Sequence, residues 1–205
     1  MTNITGRSWP TVEIGEVCHV QLGKMLSPKS KTGKRPVPYL RNENVQWNRF
    51  DLRNVAWMDF TEEEEAKFAL LPGDLLVCEG GEPGRAAIWQ GQIERCCFQK
   101  ALHRIRPLRG MISPSYLMYF LWHAVSLESF SSSHSTTTIS HLPREKLLQL
   151  RVSLAPLEEQ TRIVAELTAS MASVEKARLA AQQQLHMVQA LPAALLREVF
   201  ASAEA

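Results

Sequence analysis

The chain has 205 residues, 45% of them hydrophobic, and a formal net charge of +2. That length buries a core and suggests one domain with something appended, while the small net charge excludes a strongly basic arm that coats nucleic acid indiscriminately. No stretch approaches the roughly 20 consecutive apolar residues of a bilayer span, so the expectation is a soluble, cytoplasmic protein.

Charge is distributed unevenly. Residues 1–150 carry 18 basic against 15 acidic side chains, and residues 151–205 carry 5 against 6. From Thr11 to Leu22 the apolar residues alternate in places, which predicts strand. The loop "GKMLSPKSKTGKRP" follows, with Lys24, Lys29, Lys31, Lys34 and Arg35 and no acid; it reads either as a solvated linker or as a phosphate-facing loop. "VPYLRNENV" predicts a strand running into a polar turn, and "NVAWMDF" another strand. Thr61 and Glu64 have the spacing of a capping box, so a short helix is expected from Glu62 to about Ala69, ended by Pro72 and Gly73. The acidic run Glu62–Glu65 suits a first helical turn, where carboxylates complement the helix dipole.

"DLLVCEGGEPGRAAIW" predicts a hairpin with a longer loop, carrying Glu79, Glu82 and Arg85 at its tip. Its glycines do not make a nucleotide loop, because no Gly-Lys-Ser/Thr follows and the next segment reads as strand. "CCFQKALHRIRP" alternates again and predicts one strand, neither side of it wholly apolar. Ser113 and Pro114 open a helix as N-cap and first residue. "SFSSSHSTTTIS" reads as a hydroxyl-rich loop, and "RVSLAP" as a short strand.

Beyond Pro156, the segment Glu158 to Val188 holds no Pro or Gly and predicts a helix about 46 Å long at 1.5 Å per residue. Val164, Leu167, Met171, Val174, Arg178, Ala181, Leu185 and Val188 recur at alternating spacings of three and four, an a/d heptad seam with one polar interruption at Arg178. A seam of that length is expected to protrude and to need another helix. The segment "PAALLREVF" after Pro192 reads as a short terminal helix able to cover only a fraction, so the partner is expected to be a second copy of the chain or another protein.

No catalytic constellation stands out. There is no cofactor-binding glycine motif after a strand, no Asn/Asp-Pro-Pro-aromatic motif for a flipped base, and no Walker motif. The six His residues are scattered, with His103 and His134 in candidate contact segments. Cys18, Cys78, Cys96 and Cys97 lack CxxC spacing, which argues against a disulfide framework or a zinc ribbon and for buried reduced thiols.

Several elements in order carry a family resemblance: "WPTVEIGEV", "LLPGDLLVCEGGEPGRAAIW", "FQKALHRIRP", the Ser/Thr loop ending in "IS", and above all "LAPLEEQTRIVAEL" followed by a heptad helix and "LPAALLREVF". Together they resemble the specificity subunits of type I restriction-modification systems. The resemblance implies an α/β (α+β) fold: a mixed-sheet target-recognition domain over residues 1–155, then a coiled-coil spacer and dimerisation helix with a short terminal helix over 156–205. It implies a half subunit that reads one half of a split site on double-stranded DNA and, as a homodimer with antiparallel helices, scaffolds methyltransferase subunits and through them the motor/endonuclease subunits. No cofactor would be bound directly; S-adenosylmethionine, ATP and Mg would be used by those partners, and the chain would bring no reaction of its own.

On that reading Lys24, Lys29, Lys31, Lys34 and Arg35 are expected to engage phosphates. Arg41, Asn42, Asn44, Gln46, Glu82, Arg85, Gln99 and His134 are the candidates for reading base edges, since they fall at predicted strand ends and loops and can make paired hydrogen bonds. Two other classes compete: a stand-alone DNA methyltransferase or nuclease, and a coiled-coil adaptor without DNA reading.

Overall fold

Residues 9–27, 30, 32–127 and 141–201 are described in the computed structural model of the chain. The stretch from Thr11 to Leu22 is not one strand. It divides into β1 (Thr11–Glu13), a single helical turn α1 (Ile14–Val17) and β2 (Cys18–Leu22). The turn lets the chain serve two sheets, and Ile14 and Val17 are the residues it buries. β1 pairs antiparallel with β11 (Arg151–Ser153), the strand expected before the long helix.

β3 (Pro36–Leu40) leads into a 3-10 turn at Asn42–Asn44, followed by the small hairpin β4 (Val45–Gln46) and β5 (Arg49–Phe50). β6 (Ala56–Asp59) then pairs antiparallel with β3. α2 (Glu62–Phe68) starts where the capping box placed it: the Glu64 N–H donates to Thr61 Oγ1 at 3.2 Å, and the Thr61 N–H donates to Glu64 Oε2 at 2.9 Å. The predicted hairpin is β7 (Leu75–Cys78) against β8 (Ala86–Ile88).

"CCFQKALHRIRP" is likewise two strands rather than one. β9 (Cys97–Phe98) runs parallel to β3, and β10 (Leu102–Pro107) lies in a different sheet between β2 and β7. Although an antiparallel sheet can leave one face to water, β10 is covered on both of its faces over its first four residues. Leu102, His103, Arg104 and Ile105 are all buried, and each polar side chain finds at least one partner within the fold. The Arg104 Nη1 donates to the Ala69 carbonyl at 2.7 Å, while Arg106 forks onto the Asp74 carboxylate and the same carbonyl.

The result is a four-stranded antiparallel sheet ordered β2-β10-β7-β8 beside a mixed three-stranded sheet ordered β6-β3-β9. The core lies between them, with Leu76, Cys78, Ala87 and Leu102 packed among Leu40, Phe60, Phe68, Trp89 and Phe98. All four cysteines are free and buried. Burial pushes Cys18, Cys96 and Cys97 up to about 12 and Cys78 to about 11, so they remain inert thiols.

α3 (Pro114–Ser126) begins at Pro114 as expected, but the Ser113 hydroxyl does not cap it. Instead the Ser113 backbone N–H donates to Gln160 Oε1 at 2.7 Å. A short helix not anticipated from the sequence, α4 (Arg144–Gln149), precedes β11. Its six residues are too few to show a periodicity, and Leu147 is the one it buries.

α5 runs unbroken from Leu157 to Ala201 with Pro192 inside it. The separate terminal helix expected after Pro192 is therefore part of the same element. Proline removes one backbone hydrogen bond and crowds the preceding turn, but the flanking residues are strong helix formers and carry the helix through. The seam continues past Val188 to Pro192 and Leu195 at spacings of four and three.

Contacts divide the chain into two units, one up to Arg162 and one from Ile163 onward. The division falls inside α5 rather than at residue 156, because the first turn belongs to the N-terminal unit. The Gln160 side chain is wholly buried and donates to the Met111 and Ala155 carbonyls at 3.0 and 2.8 Å. Among the described residues no helix is long and apolar enough to cross a membrane.

Candidate nucleic-acid interface

The strand directions bring several loops to one rim. β2, β3, β7 and β9 all exit there, and β10 enters. The register sets Leu22 against His103, Cys78 against Leu102, and Leu40 beside Phe98. An isolated bridge between Lys24 and Gln99 links the two larger sheets at this edge, and another pairs Gly80 with His141. The rim therefore collects Lys24, the Arg41–Gln46 segment, the β7–β8 tip with Glu82 and Arg85, and Gln99. These four segments are remote from one another in the chain, which explains why no local motif announces the rim.

The side chains there differ sharply in how free they are. Lys24 was expected to face phosphates, but it is 11% exposed. Its Nζ donates to the Asp59 carbonyl at 2.7 Å and to Glu64 Oε2 at 2.6 Å, and sits 4.7 Å from the Phe60 ring centroid. Arg35 forks onto Glu62 and Glu65 at 2.7 and 3.0 Å, and those hydrogen bonds raise its pKa. The acidic run of α2 thus meets the basic loop of the same chain, a pairing across about thirty residues that neither segment advertises alone. Asp59 holds the loop from the other side. Its carboxylate accepts from the Thr32, Gly33 and Arg35 backbone N–H groups and from the Thr32 hydroxyl, which keeps its pKa low, the Thr32 hydrogen bond foremost. Lys34 is exposed. Lys29, Lys31 and His134 lie outside the described residues.

Among the expected base readers, Asn44 is buried and its amide is taken up by the backbone. Its Oδ1 accepts from the Arg41 N–H, and its Nδ2 donates to the Asp51 and Asn54 carbonyls. It holds the turn rather than facing outward. Arg41 donates to the Asn54 carbonyl and pairs with Glu43. Arg85 is 12% exposed; its Nη2 donates to the Asn42 carbonyl at 3.0 Å and its Nη1 meets Glu82 at 2.9 Å. Arg85 therefore fastens the hairpin tip to the Asn42 turn, and a Cβ on Gly81 would stand 3.1 Å from Asn42 Nδ2. Asn42, Gln46 and Gln99 are half-buried and Glu82 is exposed. Asn42 Oδ1 accepts from the Glu43 N–H and Gln46 Nε2 donates to the Glu43 carbonyl, each at 3.0 Å.

At the far side of the rim, His141 Nε2 lies 3.0 Å from Glu79 Oε1, and the Leu142 N–H donates to the Glu79 carbonyl at 2.6 Å. His103 is fully buried, and its Nε2 bonds the Leu142 carbonyl at 2.9 Å. Burial lowers its pKa, so it is a neutral structural imidazole. Among the described residues no group of three or more His, Cys, Asp or Glu converges as a metal site would require.

A polar rim of loops mounted on a small mixed-sheet core is the arrangement of a recognition module. The sequence model of the family described as type I restriction modification DNA specificity domain matches residues 6–182, and the chain belongs to that family. It is 28% identical over 160 residues to a putative type I restriction enzyme MjaX specificity subunit of Methanocaldococcus jannaschii, a match covering 76% of this chain and 37% of that protein.

Two solved structures share the fold. One is a chain from a study of complex assembly and conformational transition of the type I R-M system (TM-score 0.64, 22% identity, 88% of this chain and 43% of that one). The other is the HsdS subunit from Thermoanaerobacter tengcongensis (TM-score 0.61, 22% identity, 82% and 38%). The chain spans less than half the length of these relatives.

Proposed function

We propose that this chain is a non-catalytic DNA-reading module of a type I restriction-modification complex, and that its rim reads one half of a bipartite site. The carrying observation is the convergence on one edge of Asn42, Gln46, Glu82 and Gln99 from loops remote in sequence. The amides can pair with the N6 and N7 edge of adenine, and a carboxylate can accept from cytosine N4. Arg85 and Asn44 act one step back, fixing the loops that carry those tips.

Two copies pair through the α5 seam, setting the distance between two half-sites; the exposed Val174, Leu185 and Val188 support this. Methyltransferase subunits, and through them motor/endonuclease subunits, assemble on the pair and use S-adenosylmethionine, ATP and Mg.

Binding of duplex DNA by the purified chain tests the reading. Affinity is expected to fall steeply with salt as phosphate contacts release counterions, and co-expression with a methyltransferase subunit is expected to yield methylation at two inverted half-sites around a spacer. Four of the basic side chains first assigned to DNA are neutralised within the chain, which favours modest non-specific affinity. Salt-independent affinity would instead favour an adaptor that does not read DNA.

A further inference from the structure

Gln99, Lys100 and Ala101 carry the chain from β9 to β10, out of one sheet and into the other. The Leu102 N–H donates to the Gln99 carbonyl at 3.2 Å, closing a tight turn. Ala101 has φ +105°, a region where glycine is the ordinary occupant and an L side chain is strained.

The turn is held from three strand ends. The Gln99 N–H donates to the Leu40 carbonyl at 3.1 Å, the Lys100 N–H to the Lys24 carbonyl at 2.7 Å, and the Glu79 N–H to the Ala101 carbonyl at 2.8 Å. The exit of β2 presses against it so closely that a Cβ on Gly23 would stand 2.2 Å from the Gln99 carbonyl oxygen. A strained non-glycine residue clamped this way points to a backbone held for what it presents.

What it presents is Lys100. The side chain is exposed, and among the described residues no carboxylate pairs with it. Its neighbours on the rim contrast with it: Lys24, Arg41 and Arg85 each have an acid from the same chain. An ammonium is a compact, strongly hydrated point charge, suited to a phosphate rather than to the paired geometry of a base edge.

We infer that Lys100 is the phosphate contact that sets the register of the rim on DNA, so that the adjacent Gln99 and the facing Asn42 meet base edges at a fixed height. This rests on the DNA-reading function proposed above. Reading "FQKALHR" as continuous strand hid Lys100, because alternation places it on a sheet face rather than at a turn.

The test is fluorescence anisotropy of the intact chain with two duplexes of unrelated sequence, over a salt series. Wild type is expected to show a steep salt slope. Lys100→Ala and Lys100→Gln are expected to lower the slope by about one, and to weaken binding roughly three- to tenfold near 50 mM salt on both duplexes alike. Lys100→Arg should restore the slope, and Lys176→Ala, which removes an exposed charge on α5, should leave it unchanged. A flat slope for wild type would overturn the DNA reading itself. A steep wild-type slope that Lys100→Ala and Lys100→Gln do not alter, or that Lys176→Ala lowers as much, would overturn the Lys100 assignment while the DNA reading stands.

Discussion

The two units treat their chemistry in opposite ways. Up to Arg162, several charged and amide side chains are spent inward: Lys24 on Glu64, Arg106 on Asp74, Asn44 and Gln160 on backbone. In α5, from Thr168 to Glu198, every residue is exposed, and Val174 is 64% open to solvent. Such internal pairing in the first unit offsets the cost of burying those polar groups. A unit that leaves a heptad seam of Val, Leu and Met uncovered has not reached its own free-energy minimum. The first unit thus covers its own core, while the second leaves an apolar stripe open that the pairing proposed above would cover.

The largest blow to this contrast falls on the seam. Val174→Glu with Leu185→Glu is expected to abolish self-association, because each places an unpaired charge on a surface that the proposed pairing buries. The dissociation constant should rise at least about a hundredfold, read by sedimentation equilibrium, while the melting of the first unit stays unchanged. Dimers persisting in the double variant would show that the seam is not the interface.

Within the first unit, Gly23→Ala forces the exit of β2 away from the Gln99 carbonyl. Overpacking of backbone against backbone predicts a loss of about 3 kcal/mol in urea unfolding. Gln160→Ala is next: it strips partners from the Ser113 N–H and from the Met111 and Ala155 carbonyls, for about 2 kcal/mol. A loss confined to helicity of α5, with the sheet intact, would mean Gln160 anchors nothing.

The smallest effect is a pH dependence. Glu65, 16% exposed, has its pKa lowered to about 2, chiefly by the hydrogen bond from Arg95 and next by that from Arg35. A carboxyl whose folded pKa lies below its unfolded value stabilises the fold above the unfolded pKa, near 4.5, and loses that contribution as pH falls toward 2. Glu65→Gln should therefore be less stable than wild type at neutral pH, with the gap closing between about pH 4.5 and 2. A gap that stays constant with pH would assign the effect to packing.

Much of this was legible locally. The Thr61/Glu64 box started α2 where expected, the Gly-rich turn after Cys78 made a hairpin, and Pro114 opened α3. Each rests on interactions within a few residues, which the order of the sequence contains. The heptad spacing likewise marked α5, though Pro192 suggested a break that the helix does not take. Reading continued alternation as a continued strand failed twice, at Ile14 and at Lys100, because alternation reports one-sided burial and does not register a change of sheet.

The amino-acid order alone determined the family, the mixed α/β character and the stripe along α5, since periodicity and capping are short-range properties of neighbouring residues. Only the tertiary structure decided which charges remain available. Arg35 and Glu62, or Lys24 and Glu64, are separated by 27 and 40 residues; the first pair meets because β3 and β6 pair antiparallel, and the second because the Lys24 side chain after β2 reaches the end of β6 and α2. Whether a cation is a ligand contact or half of an internal pair depends on distances between remote segments, and those are set by the packing of the core.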